Sequence, residues 1–187
     1  MQQELVNRAK RGDHDAFTRL VDGSVDRLYT VANLILRDSD RAQDAVQEAL
    51  VSAWRDLPAL RDPEAWDAWL YRLTVWSCYR QAKRERRRTL VETRVMPDAA
   101  LDHVDDITPL FVERDRLERE LARLPVEQRA VIVTHFYLGC PISEVAEILG
   151  IPVGTTKSRL SRGLEALRDA FAAEPGSPAQ AVPVRTP

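Results

Sequence analysis

The sequence has few cysteines and no long apolar run, and each shortage excludes a class of protein. Its 187 residues include only Cys78 and Cys140, which lie far apart and outside any Cys-x-x-Cys pattern. A disulfide scaffold and a zinc knuckle are therefore not expected, and a reducing cytoplasm fits best. No stretch approaches the ~20 apolar residues of a membrane helix, and residues 1–4 do not begin a signal peptide. We expect a cytoplasmic protein without membrane insertion.

Net positive charge is also lacking, because the chain totals −2, whereas nucleic-acid-binding domains are usually basic. The total hides separate blocks. Residues 71–94 carry 8 basic and 2 acidic side chains, while residues 1–70 and residues 95–130 each have a net charge of −4. A charged run is often only a solvated helix face. The basic block is therefore a candidate nucleic-acid surface that needs support from the motifs.

Glycine is scarce, at 7 residues, and no run alternates apolar with polar residues long enough to predict a strand. The pattern predicts an all-α protein. Asp38, Ser39 and Asp40 are candidates for the N-cap of one helix, and Asp40 with Gln43 resembles a capping box. The predicted helices cover residues 3–10, 15–23, 24–36, 41–57, 63–88, 111–124 and two further segments within 142–168. We predict two small helical domains, residues 1–90 and 111–173, joined by a flexible acidic linker, residues 91–110. Residues 174–187 form a proline-rich tail that we expect to be disordered.

Tryptophan is concentrated at the start of the helix that precedes the basic block. Trp66, Trp69, Leu73 and Trp76 recur at spacings of three, four and three residues. This spacing is that of a buried stripe, so we predict that Trp66 and Trp69 belong to the core. Trp76 stands where the basic block begins. It could extend the core stripe or stack on an unpaired base, and the sequence leaves both alternatives open.

Residues 142–168 predict a helix-turn-helix, in which Gly150 provides the tight turn. The second helix is expected to turn Val153 and its leucines inward. Its opposite face is expected to present Thr155, Thr156, Ser158, Arg159 and Arg162. Such a face suits a major groove, where each bidentate arginine–guanine pairing contributes ~1–3 kcal/mol of discrimination. The alternative is an ordinary helical hairpin whose second helix is solvated.

One further helix, residues 41–57, has a mixed outward face. Asp44, Gln47, Glu48 and Val51 share a side that points away from the apolar stripe. Such a face could simply be solvated, or it could dock a basic partner helix. Periodicity alone favours the solvated face.

Longer runs resemble a known family. The N-terminal part of the chain resembles region 2 of extracytoplasmic-function (group 4) sigma factors of the sigma-70 family. The likeness lies in Ala42-Gln43-Asp44-Ala45-Val46-Gln47-Glu48-Ala49, Ala53-Trp54 and Trp69-Leu70-Tyr71-Arg72-Leu73. The C-terminal part of the chain resembles region 4 of the same family. The likeness lies in Leu124-Pro125, Gln128-Arg129 and the run Leu149-Gly150-Ile151-Pro152-Val153-Gly154-Thr155-Thr156-Lys157-Ser158-Arg159. The resemblance covers nearly everything except the linker and the tail, and both halves stand in the right order. It implies a region 2-like bundle followed by a region 4-like helix-turn-helix domain.

The resemblance also implies a function: binding core RNA polymerase, directing it to promoters through −10 and −35 elements, and promoting DNA melting. The implied partners are promoter DNA, the β′ clamp helices and β flap of core polymerase, and an anti-sigma factor. Ala45 stands where the family more usually has Leu, a departure expected to affect packing more than docking. The implied polymerase contacts are Asp44, Gln47 and Glu48. The implied single-strand contacts at the −10 element are Trp76, Tyr79, Arg80, Lys83, Arg84 and Arg87. The implied duplex contacts at the −35 element are Thr155, Thr156, Lys157, Arg159 and Arg162.

Two other classes of function fit the sequence less well. A helix-turn-helix regulator that binds duplex DNA without joining polymerase would need a ligand or phosphoacceptor domain, and residues 1–90 show no α/β alternation. An enzyme would need a constellation of catalytic groups, but His14, His103 and His135 lie in separate segments without metal-ligand spacing. We therefore expect no catalytic residues, no metal and no cofactor.

Overall fold

The computed structural model describes residues 1–91 and 109–173, with side chains described for residues 1–86 and 115–173. The predicted tail and residues 92–108 of the predicted linker lie outside this part of the chain. Within it, every regular element is helical, which confirms the all-α prediction. The helices form two units, one on each side of residues 92–108.

The first unit contains five α-helices, and aspartate caps set the starts of two of them, α2 and α4. The Asp13 carboxylate accepts a hydrogen bond from the Ala16 N–H (3.0 Å), and Asp38 accepts one from the Arg41 N–H (3.0 Å). These caps satisfy N–H groups that the first helical turn leaves unpaired. The bounds are α1 (Gln2–Lys10), α2 (His14–Asp22), α3 (Val25–Leu36), α4 (Ser39–Asp56) and α5 (Trp66–Val91), with 3₁₀ turns at Leu57–Ala59 and Pro63–Ala65.

The capping box predicted at Asp40 is wrong. Asp38 has an extended backbone (φ −151°, ψ 115°) and is the residue that caps α4. Asp40 already lies in the first helical turn, where its charge complements the positive end of the helix dipole. The helix therefore begins at Ser39, two residues earlier than the sequence pattern predicted.

The core of the first unit lies between α3, α4 and α5. Leu28, Ile35, Trp66 and Leu70 are all fully buried there, and burial of each such side chain contributes about 1.5–3 kcal/mol. The ring of Phe17 on α2 packs edge-on against Trp66, with centroids 5.9 Å apart. The prediction that Trp66 is a core residue is confirmed.

The buried stripe along α5 differs in detail from the predicted one. Trp66, Leu70, Cys78 and Ala82 are buried at intervals that are multiples of four residues. Trp69 is half-buried and packs against the edge of this core. Trp76 lies off the stripe, with 39% of its surface exposed. The alternative in which Trp76 extends the core is therefore not what the structure shows.

The second unit contains α6 (Pro109–Arg123), α7 (Val126–Ile132), a π-helical turn (Val133–Tyr137), α8 (Ile142–Leu149) and α9 (Val153–Ala173). Gly163 permits a close crossing of α7 and α9. A Cβ atom there would lie 2.7 Å from Ile132 Cδ1 and 3.3 Å from the Gln128 Cβ, so a larger residue would require these α7 side chains to shift.

The two units pack against each other. Buried side chains of α7 and α8, including Val131 and Val145, belong to the same apolar cluster as the core of the first unit. At the centre of the contact, Arg129 Nε of α7 donates a 2.6 Å hydrogen bond to the carbonyl oxygen of Ile35, near the end of α3. The sequence pattern did not predict this packing.

Candidate polymerase and nucleic-acid interface

The outward face of α4 carries the side chains that the sequence nominated for docking. Asp44 and Gln47 are exposed and Glu48 is half-buried. Val51 extends the same face, with 63% of its surface exposed. Ala45 is fully buried on the opposite side, in keeping with the expectation that this departure concerns packing. An amide and two carboxylates around an exposed valine could complement a basic, partly apolar helix.

The neighbouring helix α5 carries a stripe that combines rings with cations. The Trp76 ring is covered on one face by the Arg80 guanidinium, whose Cζ lies 4.3 Å from the ring centroid. One turn further on, Lys83 and Arg84 are exposed. These positions, spaced by three and four residues, share one side of the helix. Tyr79 is half-buried beside them, and the side chain of Arg87 lies outside the described residues.

Glu48 connects the two faces. Its carboxylate forms an ion pair with Arg80 and lies 3.8 Å from a guanidinium nitrogen of Arg84. Burial, together with the charge of Arg84, lowers the pKa of Arg80 below its usual value. A polymerase contact and two single-strand contacts nominated separately by the sequence therefore form one cluster on α4 and α5.

In the second unit, α8 and α9 form the predicted helix-turn-helix. Gly150 has φ +62°, a left-handed conformation that favours glycine. The Ile151 N–H donates to the Ala146 carbonyl oxygen (3.0 Å), which closes the end of α8. Beyond the turn, Lys157 and Arg162 are exposed on α9.

The predicted faces of α9 need two corrections. Val153, expected inside, is 44% exposed, and Thr156, expected outside, is fully buried. Thr156 aligns with Gly163 and Leu167 at helical spacing on the inward side of α9, and its hydroxyl donates to the Pro152 carbonyl oxygen (3.2 Å). Thr156 is therefore unavailable to a duplex in this arrangement. Thr155 and Arg159 are half-buried beside it.

The structure brings the two predicted DNA surfaces into contact with each other. The Arg159 guanidinium of α9 donates a 3.1 Å hydrogen bond to the Tyr79 hydroxyl of α5. The same guanidinium lies 5.9 Å from the centroid of the Tyr79 ring. A predicted duplex contact and a predicted single-strand contact, 80 residues apart in the chain, therefore meet across the contact between the units.

Arg129 is a residue whose role the sequence reasoning missed. Its guanidinium is buried and donates to the carbonyl oxygens of Leu121, Ala122 and Leu124 at the end of α6, besides that of Ile35. Burial, with the charges of Arg37 and Arg41, lowers the pKa of Arg129 to about 10. The available signal was an arginine directly before an apolar run, residues 130–133, which is buried at the end of α7 and the start of the π-helical turn.

Metal ligands, reactive thiols and membrane spans are three further features that bear on function. No group of three or more His, Cys, Asp or Glu side chains that could hold a metal ion occurs among them. Burial raises the pKa of the Cys78 thiol to about 12, which makes it a poor nucleophile at neutral pH. None of the helices in the described ranges has both the length and the apolar character needed to cross a membrane.

Comparison with known proteins agrees with this geometry. Residues 20–88 match the family model described as Sigma-70 region 2, and residues 114–167 match the one described as Sigma-70, region 4. The chain is 33% identical over 162 residues to the ECF RNA polymerase sigma factor SigM of Mycobacterium tuberculosis, covering 85% of this chain and 79% of SigM. The chain belongs to the extracytoplasmic-function sigma factors.

Solved structures show the same architecture for this sigma factor. CnrH, solved in complex with the cytosolic domain of CnrY, is 25% identical, with a TM-score of 0.58 and coverage of 92% of this chain and 98% of CnrH. The sigma factor RpoE of Bartonella quintana, solved with the anti-sigma factor NepR, is 23% identical, with a TM-score of 0.66 and coverage of 84% and 98%. The predicted fold of two sigma-like helical domains is confirmed.

The matched segments contain the candidate surfaces of the sigma factor. The region 2 match includes α4 and the cationic stripe of α5, and the region 4 match includes α8 and most of α9. As a family member, the protein is an alternative sigma factor, a class of subunit that directs RNA polymerase to promoters. The roles of its individual residues remain predictions.

Proposed function

We propose that this sigma factor binds core RNA polymerase through the outward face of α4, with Asp44, Gln47 and Glu48 against the β′ clamp helices. The exposed Val51 on the same face supports docking over simple solvation. The β flap would bind at an apolar groove of about 580 Å³ that is lined by Leu117 of α6 together with Leu34 of α3.

The stripe on α5 would hold the unwound strand of the −10 element. Stacking on an aromatic ring contributes ~1–3 kcal/mol per base, and cations hold the phosphates of a single strand. Trp76 offers a partly exposed ring for this purpose, and Lys83 and Arg84 offer exposed charges. Tyr79, Arg80 and Arg87 complete the proposed set. Capture of unpaired bases here would promote melting.

The helix-turn-helix would read the −35 element as duplex. Arg159 and Arg162 have the donor geometry for guanine edges, while Lys157 and the hydroxyl of Thr155 suit phosphates. Thr156 is left out of the proposed contacts because it is buried. Each unit would therefore recognise a different form of DNA.

The remaining parts of the proposal concern organisation and partners. We divide the chain into a region 2-like domain (1–90), a linker (91–110), a region 4-like domain (111–173) and a tail (174–187). We expect an anti-sigma factor as a further partner, since RpoE of Bartonella quintana was solved with one. The protein would act in the cytoplasm as a non-catalytic subunit without a cofactor.

The observation that carries the function is the adjacency of a docking face and a cationic, aromatic stripe on α4 and α5, joined by Glu48. A regulator that binds duplex DNA without joining polymerase would need neither a docking face nor a cationic, aromatic stripe, so the first unit favours the sigma factor.

The test is to add the purified full chain to sigma-free core polymerase with fragmented genomic DNA and to map transcript 5′ ends. We expect a stable complex and a defined set of start sites that share two upstream elements. Failure to bind core, with duplex binding retained, would contradict the proposal and favour the simple regulator.

A further inference from the structure

An arginine at the end of α3 is buried and has hydrogen-bond donors to spare. Arg37 has φ +56°, the only positive value at a non-glycine position among the described residues. Glycine would adopt this conformation with less strain. Only 9% of the Arg37 side chain is exposed, and its Nε and Nη1 atoms donate no hydrogen bond to any described residue. Buried donors without acceptors cost free energy, so the position is suited to an anionic acceptor.

Two further guanidinium groups lie close to Arg37. Arg41 belongs to the first turn of α4, and the buried Arg129 belongs to α7. Burial lowers the pKa of Arg129 to about 10, and the charges of Arg37 and Arg41 add to this shift. Arg129 still carries its charge at neutral pH. Three segments therefore bring like charges together, and an anion bound among them would relieve the repulsion.

Carboxylates offset only part of this charge. Glu118 Oε2 lies 3.5 Å from Arg37 Nη1, without a hydrogen bond between them. Glu127 of α7 pairs with Arg86 of α5 and acts against the lowered pKa of Arg129. Glu85 is the third carboxylate. The three face four guanidinium groups, those of Arg37, Arg41, Arg86 and Arg129.

The cluster borders a cavity that can hold a small ligand. The cavity has a volume of about 290 Å³ and is lined by Arg41, Arg86, Arg129 and Glu85. Leu36, the residue directly before Arg37, also lines it. A water molecule occupies ~30 Å³ in the liquid, so the space admits a tetrahedral oxyanion with its nearest waters. Arg41 is half-buried and Arg86 is exposed, so the cavity can be reached from solvent.

We propose that this arginine pocket, formed by Arg37, Arg41, Arg86 and Arg129, binds a small phosphate-bearing anion. Guanidinium groups pair with phosphate oxygens through two parallel hydrogen bonds, a geometry that an ammonium group lacks. None of the four arginines belongs to the proposed contacts with polymerase or DNA, so the inference goes beyond the proposed function. A ligand that binds only the folded protein also stabilises it.

Calorimetric titration of the full chain with inorganic phosphate tests the pocket, at constant ionic strength set by chloride. We expect one saturable site. Arg41→Gln and Arg86→Gln should each weaken binding at least tenfold, because each removes a charge from the wall of the cavity. Arg61→Gln is the matched control, since Arg61 is exposed and does not line the cavity. It should bind phosphate as the wild type does, and equal affinities of all four proteins would overturn the proposal.

Thermal unfolding gives a second readout and checks that the variants fold. The unfolding midpoint of the wild type and of Arg61→Gln should rise with phosphate concentration, while that of Arg41→Gln should rise less. Phosphate also stabilises proteins without binding a site, because it is excluded from their surface. An equal rise in all variants would therefore show only this general effect and contradict a pocket.

A comparison of probes distinguishes a free phosphate from a nucleotide. Inorganic phosphate, pyrophosphate, ADP and adenosine would be titrated in turn. Similar affinities for pyrophosphate and ADP would identify the phosphate group alone as the ligand. Tighter binding of ADP, by tenfold or more, would identify a nucleotide. Adenosine that binds as tightly as ADP would overturn recognition through phosphate.

The exposed cations of the α5 stripe could also attract phosphate, so they need their own control. Lys83→Ala with Arg84→Ala should leave the affinity for inorganic phosphate unchanged. Loss of affinity in this variant, with Arg41→Gln unaffected, would place the anion on the stripe and contradict the pocket. Absence of saturable binding with every phosphate-bearing probe would contradict it as well. Because the titrations use the free chain, failure to bind core polymerase would refute the proposed function without altering these results.

Discussion

The two cationic helices of this sigma factor are built differently. Along α5, charges alternate with aromatic rings, and Arg80 lies over the ring of Trp76. Along α9, the charged side chains follow a helix start with hydroxyl groups, and no aromatic ring occurs between Val153 and Arg162. Rings suit bases that have left the duplex, while hydroxyls and arginines suit the edges and backbone of an intact one. The two proposed DNA-binding surfaces, on α5 and α9, therefore differ in the type of side chain as well as in charge.

Loss of polymerase docking would have the largest effect on transcription, because polymerase positions both proposed DNA-binding surfaces at the promoter. We expect Asp44→Arg to lower affinity for core polymerase at least tenfold, since it puts a cation where a basic partner is proposed. A fluorescence titration of labelled protein with core measures this. Asp22→Arg is the matched control, and equal affinities of the two variants would remove α4 from the docking surface.

Removing charge from α5 should change the salt dependence of single-strand binding. Each phosphate contact on a single strand contributes about 0.7 to the slope of log K against log salt. Lys83→Ala with Arg84→Ala should therefore reduce the slope by about 1.4, measured with holoenzyme and a non-template-strand oligonucleotide. Arg19→Ala with Arg61→Ala, two exposed arginines elsewhere in the first unit, should leave it unchanged. An unchanged slope in the α5 variant would show that these cations do not contact the strand.

Two positions on α9 should separate specificity from affinity. We expect Arg159→Ala to reduce discrimination between the cognate and a scrambled duplex by about 1–3 kcal/mol, the range of a bidentate base contact. Lys157→Ala should weaken binding to both duplexes alike, because a phosphate contact carries no sequence information. Competition binding measures both quantities, and equal losses of discrimination would refute the assignment.

The ring of Trp76 gives a smaller and more local prediction. We expect Trp76→Ala to reduce promoter opening about fivefold and Trp76→Phe to retain most of it, because a smaller ring still stacks. Permanganate footprinting of unpaired thymines on a cognate promoter reports the opening. Opening by Trp76→Ala at the wild-type level would rule out the stacking role.

The smallest effect is expected at the two cysteines, one in each unit. Burial raises the pKa of both thiols, to about 12 for Cys78. Since the thiolate is the nucleophile, alkylation should be slow at pH 7. It should accelerate as the pH rises toward the raised pKa of the thiol. In the folded protein only the half-buried Cys140 should react, and Cys140→Ser should transcribe normally. Rapid reaction of Cys78 at pH 7 would contradict its burial.

The sequence was informative wherever the deciding interactions are local. Apolar spacing, proline and aspartate predicted most helix positions, and a glycine with a left-handed backbone, Gly150, marked the turn of the helix-turn-helix. The exposed side of α4 followed from the same periodicity. Errors of one or two residues arose where neighbouring residues can play the same part, as at Asp38 and Asp40.

Interactions between distant segments could not be predicted. The sequence predicts an outward Thr156 because threonine is polar. Its hydroxyl, however, donates a hydrogen bond to the Pro152 carbonyl oxygen, so the side chain can be buried. The pairing of Arg72 with Glu144 depends on how two units pack, and neither residue carries a local sign of it. The buried role of Arg129 has the same origin, because its acceptors lie on α6 and α3.

The central claim is that one chain directs polymerase through two surfaces of different chemistry, and a promoter library tests it most directly. Holoenzymes containing wild type, Arg159→Ala, or Lys83→Ala with Arg84→Ala would transcribe a pool of promoters randomised over both elements, with the products sequenced. We predict two selected elements for the wild type, relaxed selection of only the upstream element for Arg159→Ala, and reduced output without a change in that element for the α5 variant. Transcription that selects no upstream element, or an upstream preference unaltered by Arg159→Ala, would contradict the account.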